Sequence, residues 1–136
     1  MATFEGRNGF KGTSMTYRHA VLLSCALALA GVAAPAMADN LFGAIAFSPS
    51  TGKVGGGWNF GAKKDASQEA VSQCGAADCD TVVVFPACGA VAVGDGYGMG
   101  FSADKSVAKA EETALSNCSG YTANCLVTMS FCNEGS

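Results

Sequence analysis

Residues 39–136 contain no arginine and no histidine, and their five lysines face six aspartates and four glutamates, a net charge of −5. A surface short of cations cannot neutralise phosphates, which excludes nucleic acid as a partner. Adsorption to anionic lipid is disfavoured for the same reason. The lack of histidine removes the usual general base at neutral pH. Long apolar runs are also missing. The most hydrophobic stretch, "HAVLLSCALALAGVA" at 19–33, falls short of the roughly 20 residues that a membrane span needs, and Pro35 follows it.

That stretch has another reading. Arg18 precedes it and "APAMADN" follows it, giving the charged, apolar and small-residue segments of a secretory signal. Ala36 and Ala38 fit the cleavage pattern, so cleavage is expected after Ala38. Residues 1–38 are then an N-terminal extension and signal peptide, with Met15 a more ordinary start than Met1. Residues 39–136 form a single exported domain, secreted or periplasmic, with no stable membrane anchor once the signal is removed. Cys25 does not fit a lipid-anchored cysteine, because the apolar run continues past it.

Removing the signal leaves six cysteines, Cys74, Cys79, Cys88, Cys118, Cys125 and Cys132. An even number in a small exported domain implies three disulfides, for which composition alone allows fifteen pairings. A four-cysteine zinc site is the rival. Its four- and six-residue spacings are looser than compact zinc knuckles use, and an oxidising compartment favours bridges.

An internal repeat narrows the pairings. "FGAIAFS" at 42–48 returns as "CGAVAVG" at 88–94, "ASQEAVSQC" at 66–74 as "AEETALSNC" at 110–118, and "CDTVVVF" at 79–85 as "CLVTMSF" at 125–131. Two units, 42–87 and 88–132, therefore share one plan. Each has a small apolar strand, a turn, a second strand ending in Trp58 or Phe101, a helix and a closing strand. Ala62, Ala66, Ala70 and Cys74 make one helical stripe, and Val107, Ala110, Ala114 and Cys118 make the other, with Ser102 or Asp104 as cap. Asp95-Gly96 reads as the centre of a two-residue hairpin turn. The expected fold is α+β: two ββαβ repeats in a mainly antiparallel six-stranded sheet, both helices on one face, stapled by disulfides. Equivalence predicts Cys74–Cys79 and Cys118–Cys125, which leaves Cys88–Cys132.

The glycines of "GDGYGMGFSADKS" at 94–106 invite a phosphate-binding loop, but Met99 and Asp104 stand where that motif needs glycine. The repeat supplies another use for them. Gly55 and Gly57 match Gly98 and Gly100, and alternate strand residues share a face. One face of each second strand is thus bare, and the alanine-lined helices are expected to sit on it. Large side chains fill the other face.

With "FGAIAFSPSTG", "EAVSQCGAADC", "ACGAVAVGD" and "LVTMSFC" in place, residues 42–132 resemble the exported bacterial proteins of domain-of-unknown-function family 4189. The glycine-heavy "VGGGWNF" and the absence of arginine from the helices depart from that pattern. The resemblance implies secretion and a disulfide-stapled domain, and it assigns no catalytic residues and no cofactor.

The residues themselves point to binding. Asp78 and Asp80 flank Cys79 in a turn, and the adjacent Glu111 and Glu112 diverge on a helix, so neither pair forms a catalytic dyad. A carboxylate-dependent extracytoplasmic hydrolase, drawing on Asp78, Asp80, Asp95, Glu69 or Glu111, is the alternative reading. Trp58, Phe60, Tyr97 and Tyr121 are the candidate recognition patch. The leading expectation is a non-catalytic exported domain, an inhibitor or effector, whose partner is a protein or a cell-envelope component.

Overall fold

The computed structural model describes residues 40–136. The signal segment, its cleavage after Ala38, Met15 and Cys25 lie outside the described residues. The elements run β1 (Phe42–Phe47), β2 (Val54–Phe60), α1 (Lys63–Cys74), β3 (Asp80–Phe85), β4 (Cys88–Val93), a short 3-10 turn (Asp95–Tyr97), β5 (Met99–Asp104), α2 (Val107–Ser119) and β6 (Leu126–Cys132). This is ββαβ twice, with all strand pairs antiparallel.

The six strands are divided between two sheets instead of being joined in one. The orders are β2-β1-β3 and β5-β4-β6, each internal to one repeat. Alternation along the central strands shows how they stack. Ala44 and Ala46 pack on Ala66, Ala70 and Cys74 of α1, while Ala90 and Ala92 pack on Ala110, Ala114 and Cys118 of α2. Ile45 and Val91 point the other way and meet Phe85, with Val54, Met99, Met129 and Phe131 around them. The layers are therefore helix, sheet, sheet, helix. Each helix covers the outer face of its own sheet, so the helices do not share one face.

Side-chain size sets the layer spacing. Alanine on helix and strand allows close approach, and glycine on the neighbouring strand allows closer still. A methyl on Gly55 would collide with the Ala70 carbonyl and the Cys74 amide, and one on Gly57 would lie 2.6 Å from the Ala66 carbonyl oxygen. A methyl on Gly100 would collide with the Cys118 amide and the Ala114 carbonyl. The expected match of Gly55 and Gly57 with Gly98 and Gly100 is displaced by two residues. Gly55 opposes Ala46 as Gly100 opposes Ala92, and Ser102 stands where unit one has Gly57. Gly98 falls before β5, with Thr122, in the loop just past α2, as its nearest neighbour. Gly43 and Gly89 serve the middle layer, where the rings of Phe85 and Phe131 occupy the space above them. Those two phenylalanines are repeat equivalents, with centroids 5.2 Å apart.

The turn in unit two is displaced by one residue from the Asp95-Gly96 expectation. Its centre is Gly96 and Tyr97, with φ of 61° and 62°, closed by the Gly98 amide donating to the Asp95 carbonyl. Asp95 is held elsewhere. Its amide donates to the Ala123 carbonyl, its carbonyl accepts from the Thr122 hydroxyl, and its carboxylate accepts from the Asn124 amide at 2.8 Å. The start of α2 also differs. Ser106 is the cap residue, whereas Ser102 belongs to β5 and Asp104 accepts from the Ser106 amide just outside the helix.

The bridges are Cys74–Cys79, Cys118–Cys125 and Cys88–Cys132. The first two tie a helix end to the strand after it. The third joins directly opposed residues of β4 and β6. Its sulfurs and those of the short bridges are committed to one another, which displaces the four-cysteine zinc alternative.

Candidate functional site

The two repeats differ most clearly at Trp58. In unit two β4 and β5 pair without interruption from Cys88↔Asp104 to Val93↔Met99. In unit one the register jumps from Phe42↔Phe60 to Ala44↔Gly57, so Trp58 and Asn59 together oppose Gly43. This is a β-bulge, a device that re-aims a side chain. Asn59 adopts a left-handed φ of 62°, a conformation that asparagine tolerates better than most residues.

Asn133 locks the bulge. Its side-chain oxygen accepts from the Asn59 amide at 3.0 Å, and its side-chain nitrogen donates to the Phe85 carbonyl at 3.1 Å. The Asn59 side chain accepts in return from the Glu134 amide at 2.7 Å. Asn133 is only 3% exposed, so this is a buried and satisfied polar clasp between the end of the chain and β2. Trp58 emerges 54% exposed, its indole leaning on Phe131 at a centroid distance of 5.5 Å. One edge of the indole is anchored, and much of the rest is open.

A groove of 340 Å³ lies beside it, lined by Val54, Gly56, Gly57, Trp58, Phe60, Glu69 and Gln73. β2 supplies the floor and the aromatic wall, while α1 supplies the polar wall. Glu69 is half-buried, and Gln73, one turn later, donates to its Oε1 at 2.6 Å. Among the described residues no ion pair engages Glu69.

The equivalent groove of unit two, 560 Å³, is lined by Met99, Gly100, Phe101, Ser116, Asn117, Gly120 and Tyr121. It contains no charged side chain. Asn117 reaches across to donate to the Phe101 carbonyl, and Tyr121 is 83% exposed. Tyr97 belongs to neither groove; its ring lies over Gly52, where a methyl would come within 2.5 Å. The four aromatics of the expected patch are thus distributed. Trp58 and Phe60 share one groove, Tyr121 lines another, and Tyr97 covers the first hairpin turn. Glu69, Gln73, Phe101 and Asn117 complete the grooves. The helix repeat aligns Gln73 with Asn117, but the expected match of Trp58 with Phe101 does not hold. Phe101 opposes Val91 as Gly56 opposes Ile45, so Trp58 has no aromatic equivalent in unit two.

The carboxylates raised for hydrolysis each have a local partner. Asp78 accepts from the hydroxyl of buried Ser48 and from the Ser50 amide. Asp95 holds Asn124, Asp80 accepts from the Thr81 amide, Glu111 accepts from the Ser130 hydroxyl, and Glu112 pairs with Lys109. No hydrogen bond among the described residues joins one of them to another. Asp78 and Asp95 fasten the loop before the last strand to the first hairpin of their own repeats, with donor and acceptor sides exchanged.

The Ser48 hydroxyl, followed by that of Ser50, holds the Asp78 carboxyl below its ordinary range. Its contribution is therefore present above the unfolded-state value and lost as pH falls through the lower folded-state value. Asp78→Asn is expected to melt below the parent at about pH 6 and to converge with it in acid, a difference read by thermal unfolding across pH.

Among the described residues no helix is long and apolar enough to cross a membrane. A solved NMR structure, Rv1813c from Mycobacterium tuberculosis, shares the fold with a TM-score of 0.56 and 24% identity, covering 90% of this chain and 99% of that one. Two curated proteins, Protein Rv1269c from Mycobacterium tuberculosis and Protein Mb1300c from Mycobacterium bovis, are each 42% identical over 60 residues. The match takes in 44% of this chain and 48% of each relative, so it spans about half of their length. The model of the domain of unknown function DUF4189 matches residues 42–132, from the first residue of β1 to the last of β6. With both repeats inside that match, the chain belongs to the DUF4189 family.

Proposed function

We propose that the chain is an exported, non-catalytic binding domain, an inhibitor or effector acting in the periplasm or outside the cell, whose partner is a protein or cell-envelope component. The signal-like segment at 19–38 supports export, and three bridges suit an oxidising compartment. The observation that carries the binding reading is Trp58. A large aromatic is raised on a bulge that the other repeat lacks, and a buried asparagine clasp fixes it in place. Rigid, half-open tryptophans of this kind supply contact area at small entropic cost and dominate binding energetics where they occur.

The test is affinity capture from periplasmic, envelope and culture fractions, with the parent protein and Trp58→Ala side by side. The expected outcome is a component retained by the parent and lost by the variant, with a melting curve showing that the variant is folded. Equal retention by both, or no retained component in any fraction, overturns the reading.

A further inference from the structure

The Trp58 groove differs from its unit-two counterpart in one chemical respect. Each has a floor of glycine, an aromatic wall and an amide side chain, Gln73 or Asn117. Only the Trp58 groove carries a charge, Glu69, where the repeat places uncharged Thr113 in unit two. Glu69 is half-buried, so its field is screened less than that of a fully exposed carboxylate. Gln73 donates to Oε1, and among the described residues no hydrogen bond engages Oε2. Gly57, next to Trp58 in the chain, lies against the Glu69 side chain, where a built Cβ would come within 3.0 Å. The carboxylate and the indole therefore border the same small space. Two further acidic residues, and the exposed Lys53 just before Val54, stand on the segments that frame it. Asp65 lies one turn earlier on α1, Glu134 is held against Asn59 at the bulge, and the nearby Lys63 is occupied over the Phe42 ring at 5.3 Å.

An aromatic face beside a carboxylate that has no ion-pair partner among the described residues is complementary to one kind of group. A guanidinium or ammonium gains from the ring quadrupole and from the negative charge together, and its alkyl stem suits the apolar floor of Val54 and Phe60. Guanidinium fits better than ammonium, because it is planar, less strongly hydrated and able to stack on indole. We infer that the Trp58–Glu69 groove binds an arginine side chain presented by a basic segment of a partner protein. This rests on the binding reading above and assigns its partner class. The scarcity of cations on the domain itself, five lysines and no arginine in residues 39–136, fits a surface made to receive them.

Trp58 is the chain's only tryptophan, so its fluorescence reports on this groove alone. The experiment titrates the purified protein, bridges intact, with a blocked GRGRG peptide, with the same peptide carrying citrulline for arginine, and with chitotriose as a neutral sugar. A saturable change is expected with the arginine peptide, weakened about tenfold by citrulline and about tenfold by Glu69→Gln. Phe101→Ala, in the other groove, is expected to leave it unchanged. Equal response to the citrulline peptide, or saturation by chitotriose without response to arginine, overturns the arginine assignment. So does an arginine response that Glu69→Gln leaves intact. A component captured through Trp58 but retained by Glu69→Gln would likewise overturn this assignment while leaving the wider binding reading in place. Loss of all capture removes both.

Discussion

Gly100→Ala is expected to destabilise the protein by about 3 kcal/mol or more, a fall in melting temperature of roughly 15 °C for a domain of this size. The added methyl would collide with the Cys118 amide nitrogen and the Ala114 carbonyl oxygen, which are helix backbone and cannot rotate away. Only retreat of α2 from its sheet relieves the clash. That retreat opens the contact of Ala110, Ala114 and Cys118 with Ala90 and Ala92 along its whole length. Gly55→Ala is expected to behave alike, since its methyl would strike the Ala70 carbonyl and the Cys74 amide. Gly61 supplies the control. It has open space around it and no positive φ, so Gly61→Ala should change stability by a few tenths of a kcal/mol at most. Thermal unfolding of the three variants, with Gly100 and Gly55 low and Gly61 unmoved, is the confirming pattern. A Gly100→Ala protein that melts with the parent would show that the helix does not sit where the glycine admits it.

Loss of the Cys88–Cys132 bridge should cost about 4 kcal/mol on a chain-entropy estimate, against roughly 2 kcal/mol for either short bridge. The sequence separations, 44 against 5 and 7, set that order. The total stability of a domain this small is on the order of 5–15 kcal/mol, so the long bridge is a large share of it. Unit one has nothing equivalent, since the repeat places Phe42 and Pro86 at these positions. The damage should also spread to the groove. Asn133 follows Cys132 directly, and its amide donates to the Ala87 carbonyl beside Cys88 while its side chain holds the Trp58 bulge. A Cys88→Ala/Cys132→Ala protein is therefore expected to show both a lowered denaturation midpoint and a red-shifted Trp58 emission before global unfolding. The corresponding Cys74–Cys79 variant should lower the midpoint less and leave Trp58 emission in place.

Much of this architecture is legible in the residues. The recurrence of "GAIAF" as "GAVAV", and of an alanine-lined helix ending in cysteine, carries the ββαβ order. The glycines carry the helix-facing side of the second strands at Gly55, Gly57 and Gly100. Aligning them by sequence alone, however, sets unit two out of register by two residues and places Gly98 on a strand it precedes. The division into two sheets was less accessible, although a signal for it exists. Every residue of β1 from Gly43 to Phe47 is buried, and a central strand apolar on both faces requires cover on both. Helices on one face of a single sheet would have left Ile45 and Val91 facing water. The bulge at Trp58 was not legible, because it depends on Asn133, 74 residues away in the chain. The turn at Gly96-Tyr97 was displaced for a similar reason: Asp95 is committed to Thr122, Ala123 and Asn124, and local turn preference yields to that tertiary contact.

Every hydrogen-bonded ladder closes within one repeat, and only Pro86 and Ala87 separate β3 from β4. The molecule is thus an intramolecular dimer with a two-residue tether. A tether so short holds the halves at an effective concentration on the order of millimolar or above. Their association then needs only a fraction of the affinity that two free chains would require. A middle layer of Ile45, Phe85 and Val91 with seven flanking side chains, together with the Asn133 hydrogen bonds to Asn59 and Phe85, is sufficient under that condition. Severing the chain between Pro86 and Ala87 would turn a first-order docking step into a second-order one, and the assembled state would become dependent on protein concentration.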